Sequence, residues 1–278
     1  RHTLANMHRV VELVQAGAIG TVRECHCWVG GDRGMPPLPT EFPPVPKHLN
    51  WDLWLGPASQ RPYSPAYCPY NWRFWWDFGT GETGNWGCHI LDIPVWALGL
   101  KPPTRIDASG PEVDAQRSPK SMAARYVFPA EDKRPEVILH WYHAKNGPPI
   151  LRELNLPAGG NNTLFIGSEG RLLCGFGKRK LYPEEKFADY SPPPASVPDS
   201  PGFHREWFTA CDGGPPATCD FSYSGPLTET VLLGNVAYQA GGGFDWDATS
   251  LKATGNPRAA ELIVPRFRSG WEVKVPPA

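Results

Sequence analysis

The sequence predicts an α+β fold: an open, largely antiparallel sheet covered by helices on one face, with a long aromatic-rich loop insertion over residues 30–70. Three observations carry this expectation. The chain opens with one helical pattern followed by one strand pattern. After a glycine-led helix beyond residue 79 it runs strand after strand, and no strand–helix alternation of the kind that builds a parallel sheet follows.

The elements follow in order. Val10, Val11, Leu13 and Val14 form the apolar stripe of an amphipathic helix over Thr3–Ala16, which Gly17 ends. Gly20 turns the chain into a strand over Thr21–Val29, with Cys25 and Cys27 on one face. Residues 30–70 are irregular, rich in Pro and aromatics, with a short helix at Asn50–Gly56. A loop of that length points to a lid or an interaction surface. Strands are expected at Arg105–Ser109, Ala123–Phe128, Val137–His143 and Thr163–Gly167. The turn Gly167-Ser-Glu-Gly170 makes a hairpin with Arg171–Cys174. Residues 183–201 read as a proline-rich surface loop. Helices follow at His204–Ala210 and Pro226–Ala240, the second stopped by Gly241-Gly-Gly243, and Phe267–Trp271 seals the end. Neither an internal repeat nor an inter-domain linker is seen, so 1–278 is expected to be a single domain.

A net charge of −1 gives no electrostatic footprint for nucleic acid. No apolar run approaches a membrane span, and the start lacks an apolar signal segment. Arg1 opens the chain without a methionine, as a piece of a longer chain or the product of signal cleavage would; the compartment stays open between cytoplasm and bacterial periplasm. Seven cysteines without repeated C-x-x-C spacing favour buried free thiols over a disulfide framework or a zinc cluster. Of the 12 Trp, five gather at 51, 54, 72, 75 and 76 beside Pro, Tyr and Asn, a composition that serves equally as core filler and as a stacking surface for sugars.

The densest chemistry lies between Gly79 and Leu98. Asn85, His89, Asp92 and Trp96 follow at steps of four, three and four, the spacing of neighbours on one helix face. An amide, an imidazole, a carboxylate and an indole so placed suit a polyhydroxylated ligand, with His89 able to transfer a proton. The alternative is a buried, hydrogen-bonded face serving stability alone. Gly79, Gly81 and Gly84 also satisfy G-x-G-x-x-G, and Asp107 follows at dinucleotide-site spacing. The bulky, charged residues 72–78 in front of them are unlike the buried strand such a site needs, so a nucleotide site here is rejected.

Several stretches carry a family resemblance along nearly the whole chain. They are Arg9 to Gly20, Leu49 to Pro57, Gly84 to Asp92, Trp141-Tyr142, Gly167 to Gly170, Pro226 to Asn235, Asp245 to Asp247 and Arg268 to Trp271. Together they resemble the C-terminal substrate domain of the glucose–fructose oxidoreductase / inositol dehydrogenase (Gfo/Idh/MocA) family. The resemblance implies a sugar, cyclitol or glycoside ligand, NAD(P) only where a separate Rossmann domain is supplied, and homo-oligomers formed through the open sheet. The family's dinucleotide fingerprint and the lysine of its Glu-Lys-Pro motif have no counterpart here. Asn85 stands where the family carries an aspartate, while His89 and Asp92 match it. An amide cannot take up a proton as a carboxylate does.

With no dinucleotide site in the chain, the expected function is a nicotinamide-independent glycoside hydrolase. His89, Asp92, Asp77 and Glu82 are its candidate acid, base and nucleophile. Asn85, Trp75, Trp76, Trp96, Tyr142, His143 and His204 are the candidate sugar contacts. A divalent metal is conceivable through His140 and His143 with His89 and Asp92, although 140 and 143 point to opposite faces of a strand. The alternatives are the substrate half of an NAD(P)-dependent sugar oxidoreductase and a non-catalytic sugar-binding or oligomerisation module.

Overall fold

A computed structural model describes residues 2–132, 134–143, 145, 147–157, 159, 162–264 and 266–272. Helix α1 (Ala5–Gln15) buries Met7, Val10, Val11, Leu13 and Val14, the stripe its periodicity predicts. Strand β1 (Val22–Val29) follows, then the excursion holding α2 (Trp51–Leu55), which Asn50 caps by accepting from the Leu53 N–H at 3.1 Å. A 3₁₀ turn (Asn71–Phe74) leads to α3 (Gly81–Ile90) and α4 (Asp92–Leu98). Strands β2 (Arg105–Ser109), β3 (Met122–Phe128) and β4 (Val137–His143), helix α5 (Ile150–Glu153), and strands β5 (Thr163–Gly167), β6 (Arg171–Cys174) and β7 (Arg179–Tyr182) come next. Helices α6 (Phe203–Cys211) and α7 (Phe221–Gln239), strands β8 (Phe244–Asp247) and β9 (Lys252–Thr254), and α8 (Pro257–Ile263) complete the order.

The strands form one sheet in the order β7-β6-β5-β1-β4-β3-β2-β8-β9. Every neighbouring pair is antiparallel except β1 and β4, which run parallel with His26 opposite His140 and Val29 opposite His143. The main core lies between one face of this sheet and the helices α1, α3, α4 and α7. Cys25, Cys27, Leu139, Trp141 and Phe165 point into it. On the other face a smaller cluster forms around Trp28, Leu151, Leu164 and Leu173, with α5 over part of it. The α+β expectation is thus met: large helices on one face, an open sheet behind.

α3 and α4 are one helical path interrupted at Leu91. Pro94 lacks the N–H that would bond to the Ile90 carbonyl, so the ladder breaks there. The Cys27 thiol approaches that carbonyl instead, at 4.0 Å. α3 packs closely on α7 because Gly87 has no side chain; a Cβ there would lie 2.5 Å from Val231 Cγ1. Pro226, expected to open α7, lies inside it. The helix starts five residues earlier because Asp220 accepts from the Ser222 and Tyr223 N–H groups and so caps it.

The excursion builds its own aromatic cluster of Trp51, Leu55, Tyr67 and Trp75. Buried indole N–H groups donate to backbone carbonyls, Trp51 to Arg61 at 2.8 Å and Trp75 to Ala66 at 3.2 Å. Arg268 of the tail donates to Asp52 and to the Gly56 carbonyl, tying the chain end to this cluster. All seven cysteines are free. Among the described residues no helix is long and apolar enough to cross a membrane.

Candidate functional site

Because β1 and β4 are parallel, both end at the same edge of the molecule, and the chain leaving β1 carries Asp32 and Arg33 past His143. The Trp141 indole donates to Thr83 Oγ1 at 3.0 Å, which seats the first turn of α3 on β4. Arg33 is the hub of this corner. Its Nη2 lies 2.6 Å from Glu82 Oε1, and its Nη1 donates to the Tyr70 hydroxyl at 2.7 Å. With its amide oxygen turned toward the two donors, Asn85 accepts from Arg33 Nη2 and from Trp86 Nε1, each at 3.3 Å. The Glu82 side chain is only 1% exposed. Partial burial works against the Arg33 charge, but the bonds to Glu82 and Tyr70 outweigh it and hold the guanidinium protonated.

His143 is fully buried beside this hub, and its Nε2 has no hydrogen-bond partner among the described residues. Burial first, then the Arg33 charge, push it down to about 4, against the opposing pull of Asp32. It is therefore a neutral imidazole at pH 7. Asn85 and His89 sit on the solvent side of α3, His89 edge-on to Trp86 at 5.9 Å. Beyond them a narrow crevice brings His89 against Thr163, Cys174 and Gly175.

Asp92 and Trp96 belong to a different cluster. Asp92 is buried and accepts from His2 Nε2 at 2.9 Å and from the Tyr223 hydroxyl at 2.6 Å. His2 stacks on Trp96 with centroids 4.0 Å apart. Burial alone would raise the Asp92 carboxyl; the bonds from His2 and Tyr223 reverse this and hold it below its ordinary value. Burial and the neighbouring Asp92 charge drive Tyr223 upward, so its proton stays on the phenol. His2, Trp96 and Tyr223 form one wall of a groove of about 850 Å³ whose other side carries Ser200, Glu206 and Thr218.

The remaining predicted site residues scatter. Trp75 is fully buried in the aromatic cluster, and packing rather than a ligand occupies its faces. Trp76 is half-buried, donates to the Asp114 carbonyl at 3.1 Å, and lines a second cavity of about 500 Å³ with Asp77 and Arg258. Asp77 is ion-paired with Arg61. Tyr142 lies on the outer sheet face and His143 on the inner, so they cannot share one ligand. His204 is exposed at the start of α6, packed edge-on to Phe203 at 4.3 Å. The mixed metal set is not assembled either: His140 faces outward toward Glu24 and His26, away from His143. Sequence reasoning missed Arg33, whose partners lie far along the chain, and Glu24, although the strand spacing Glu24-x-His26 puts both on one face and could have signalled it.

The G-x-G-x-x-G stretch does not fit a nucleotide. A 3₁₀ turn, not a strand, precedes it, and the Glu82 carboxylate is buried in the first turn of α3, where a pyrophosphate would have to lie.

Comparison with known proteins bears on the fold. Residues 21–130 match the model of the oxidoreductase family C-terminal alpha/beta domain of the Gfo/Idh/MocA type. No curated protein sequence matches the chain. An NAD-binding protein from Listeria innocua superposes with TM-score 0.53 at 11% identity, over 88% of this chain and 65% of its own. The WlbA dehydrogenase from Bordetella pertussis, solved with NADH and UDP-GlcNAcA, gives 0.52 at 11% identity, over 87% and 61%. An oxidoreductase from Thermotoga maritima gives 0.50 at 13% identity, over 90% and 61%. At such identities the likeness carries the fold, and the chain spans less than two thirds of each of these structures.

Residues 21–130 thus resemble the C-terminal alpha/beta domain of the Gfo/Idh/MocA oxidoreductase family, and the chain shares its fold with these solved structures. This overturns the expected glycoside hydrolase: family model and solved structures alike are of oxidoreductase type. The site agrees with the correction. Hydrolysis needs two carboxyls facing each other across a bond. Here Asp77 is tied to Arg61, Glu82 to Arg33, and Asp92 to His2 and Tyr223.

Proposed function

We propose that this chain is the substrate-binding part of an NAD(P)-dependent sugar oxidoreductase, one domain over 1–278, with the cofactor carried by residues outside it. The observation that supports this most directly is the pairing of Asn85 and His89 on the solvent side of α3, with Arg33 anchoring Asn85 from behind. In this reading Asn85 orients a hydroxyl of the sugar and His89 accepts its proton; a nicotinamide held by residues outside the chain would supply the hydride acceptor. His143 and Glu82 hold the corner rigid and take no part in proton transfer. A nucleotide sugar, as bound by the WlbA dehydrogenase, is one ligand class to try first. Self-association through the outer sheet face, where Tyr142, Ile166 and Tyr182 are only half-buried, belongs to the same proposal.

The test is calorimetric titration of the purified chain with aldoses, cyclitols and nucleotide sugars. His89→Ala and Asn85→Ala should each weaken a binding sugar by about tenfold or more, with the melting temperature of the free chain unchanged. Binding that survives both substitutions would place the sugar elsewhere, with the groove beside Trp96 next to be examined.

A further inference from the structure

We propose that Glu24, His26 and His140 form a divalent-cation site on the outer face of the sheet. Two imidazoles and one carboxylate suit zinc or a neighbouring first-row ion. The proposal is independent of the sugar site, which lies at the opposite face.

The parallel pairing of β1 and β4 creates the cluster. It places His26 directly beside His140, and Glu24, two residues earlier on β1, on the same face. The two rings stack at 4.7 Å with an interplanar angle of 7°. Both Nε2 atoms converge on one oxygen: Glu24 Oε1 lies 2.9 Å from His26 Nε2 and 3.4 Å from His140 Nε2. All three ligand atoms fall within 4.8 Å of one another. In a tetrahedral site with bonds near 2.0–2.1 Å, ligand atoms stand about 3.3 Å apart. The cluster is therefore close to the size of an occupied site before any ion enters.

The surroundings also fit. His26 Nδ1 lies 3.3 Å from the Tyr142 hydroxyl. An ion would take the place of the proton between His26 Nε2 and Glu24; Nδ1–H then donates to the Tyr142 hydroxyl, Nε2 offers its lone pair to the metal, and the ring is held in place from behind. His26 is almost wholly buried, whereas His140 and Glu24 are partly open, which leaves solvent a path to bring the ion and complete its shell. Arg125 faces His140 from β3 and opposes a cation, but Asp107 lies 3.6 Å from its guanidinium and draws off part of that charge.

The test uses the whole chain, stripped with chelator and titrated with Zn²⁺ by calorimetry and with Co²⁺ by visible absorbance. One equivalent is expected, with the d–d bands of a nitrogen–oxygen cobalt site. Glu24→Gln and His140→Ala, both partly exposed and hence tolerant of substitution, should each weaken binding by about tenfold or more. His26→Ala should do the same where circular dichroism shows it folded. His48→Ala, at an exposed position in the insertion, should leave the titration unchanged. Absence of binding at micromolar free ion, or one equivalent that persists in both Glu24→Gln and His140→Ala, would overturn the proposal.

Discussion

Replacing Tyr223 by Phe tests whether Asp92 is held as a buried, charged, hydrogen-bonded group. The substitution removes one hydroxyl that donates to Asp92 Oδ1 at 2.6 Å and leaves the His2 bond in place. A hydrogen bond to a charged group is worth about 1.5–3 kcal/mol. For a chain of this size each kcal/mol moves the melting temperature by about 2–4 °C, so Tyr223→Phe should melt roughly 3–12 °C lower at neutral pH. The pH dependence gives a sharper check. The Asp92 carboxyl is held below its ordinary value of 3.8, so its contribution is complete above that pH and is lost as pH falls through the folded value. Urea unfolding of both proteins at neutral pH and at successively lower pH should show the gap narrowing below about pH 4. A gap smaller than about 0.5 kcal/mol at neutral pH, or one that widens on acidification, would refute the account.

Two further outcomes follow from the corner around Arg33, and a third from the contact between α3 and α7. Arg33→Ala strands Glu82, whose side chain is 1% exposed, without its cation. Breaking a buried pair costs about 3–5 kcal/mol; with the Arg33 side chain 41% exposed, about 2 is expected, and Arg33→Ala with Glu82→Gln should lie closer to wild type than Arg33→Ala alone in urea unfolding. His143 is depressed from 6.5 to about 4, so between these values the unfolded chain binds more protons and stability falls as pH drops. The loss across that window should be roughly 3 kcal/mol and should shrink in His143→Gln; an unchanged slope would remove His143 as its source. Gly87→Ala places a methyl against Val231 and should cost about 1–3 kcal/mol, partly recovered by adding Val231→Ala, as denaturant titration of the two variants would show.

Much of the fold was legible in the sequence. The strands at 105–109, 137–143, 163–167 and 171–174 lie at the positions expected from the sequence, and in 137–143 buried and half-buried side chains alternate as a pleated backbone requires. The start of α7 was misplaced because Pro226 is a visible helix opener, whereas the Asp220 cap becomes decisive only once its side chain meets two backbone N–H groups. The short β7, β8 and β9 were missed as strands, being three or four residues each, too short for a period to declare itself.

The site divided in the same way. By itself the sequence determined that Asn85 and His89 share one helix face, since helical geometry fixes neighbours four residues apart; that this face is exposed was decided by the structure. Extending that face to Asp92 and Trp96 ignored what packs on it: His2, 90 residues away along the chain, and Tyr223, 131 away, take Asp92 for themselves. Arg33 meeting Glu82, and His26 meeting His140 across the parallel pairing of β1 and β4, were decided only by the tertiary structure. Local periodicity follows from bond geometry and can be read from a short window. Which distant groups share a buried corner depends on how the whole chain covers its apolar surface, and no short window contains that.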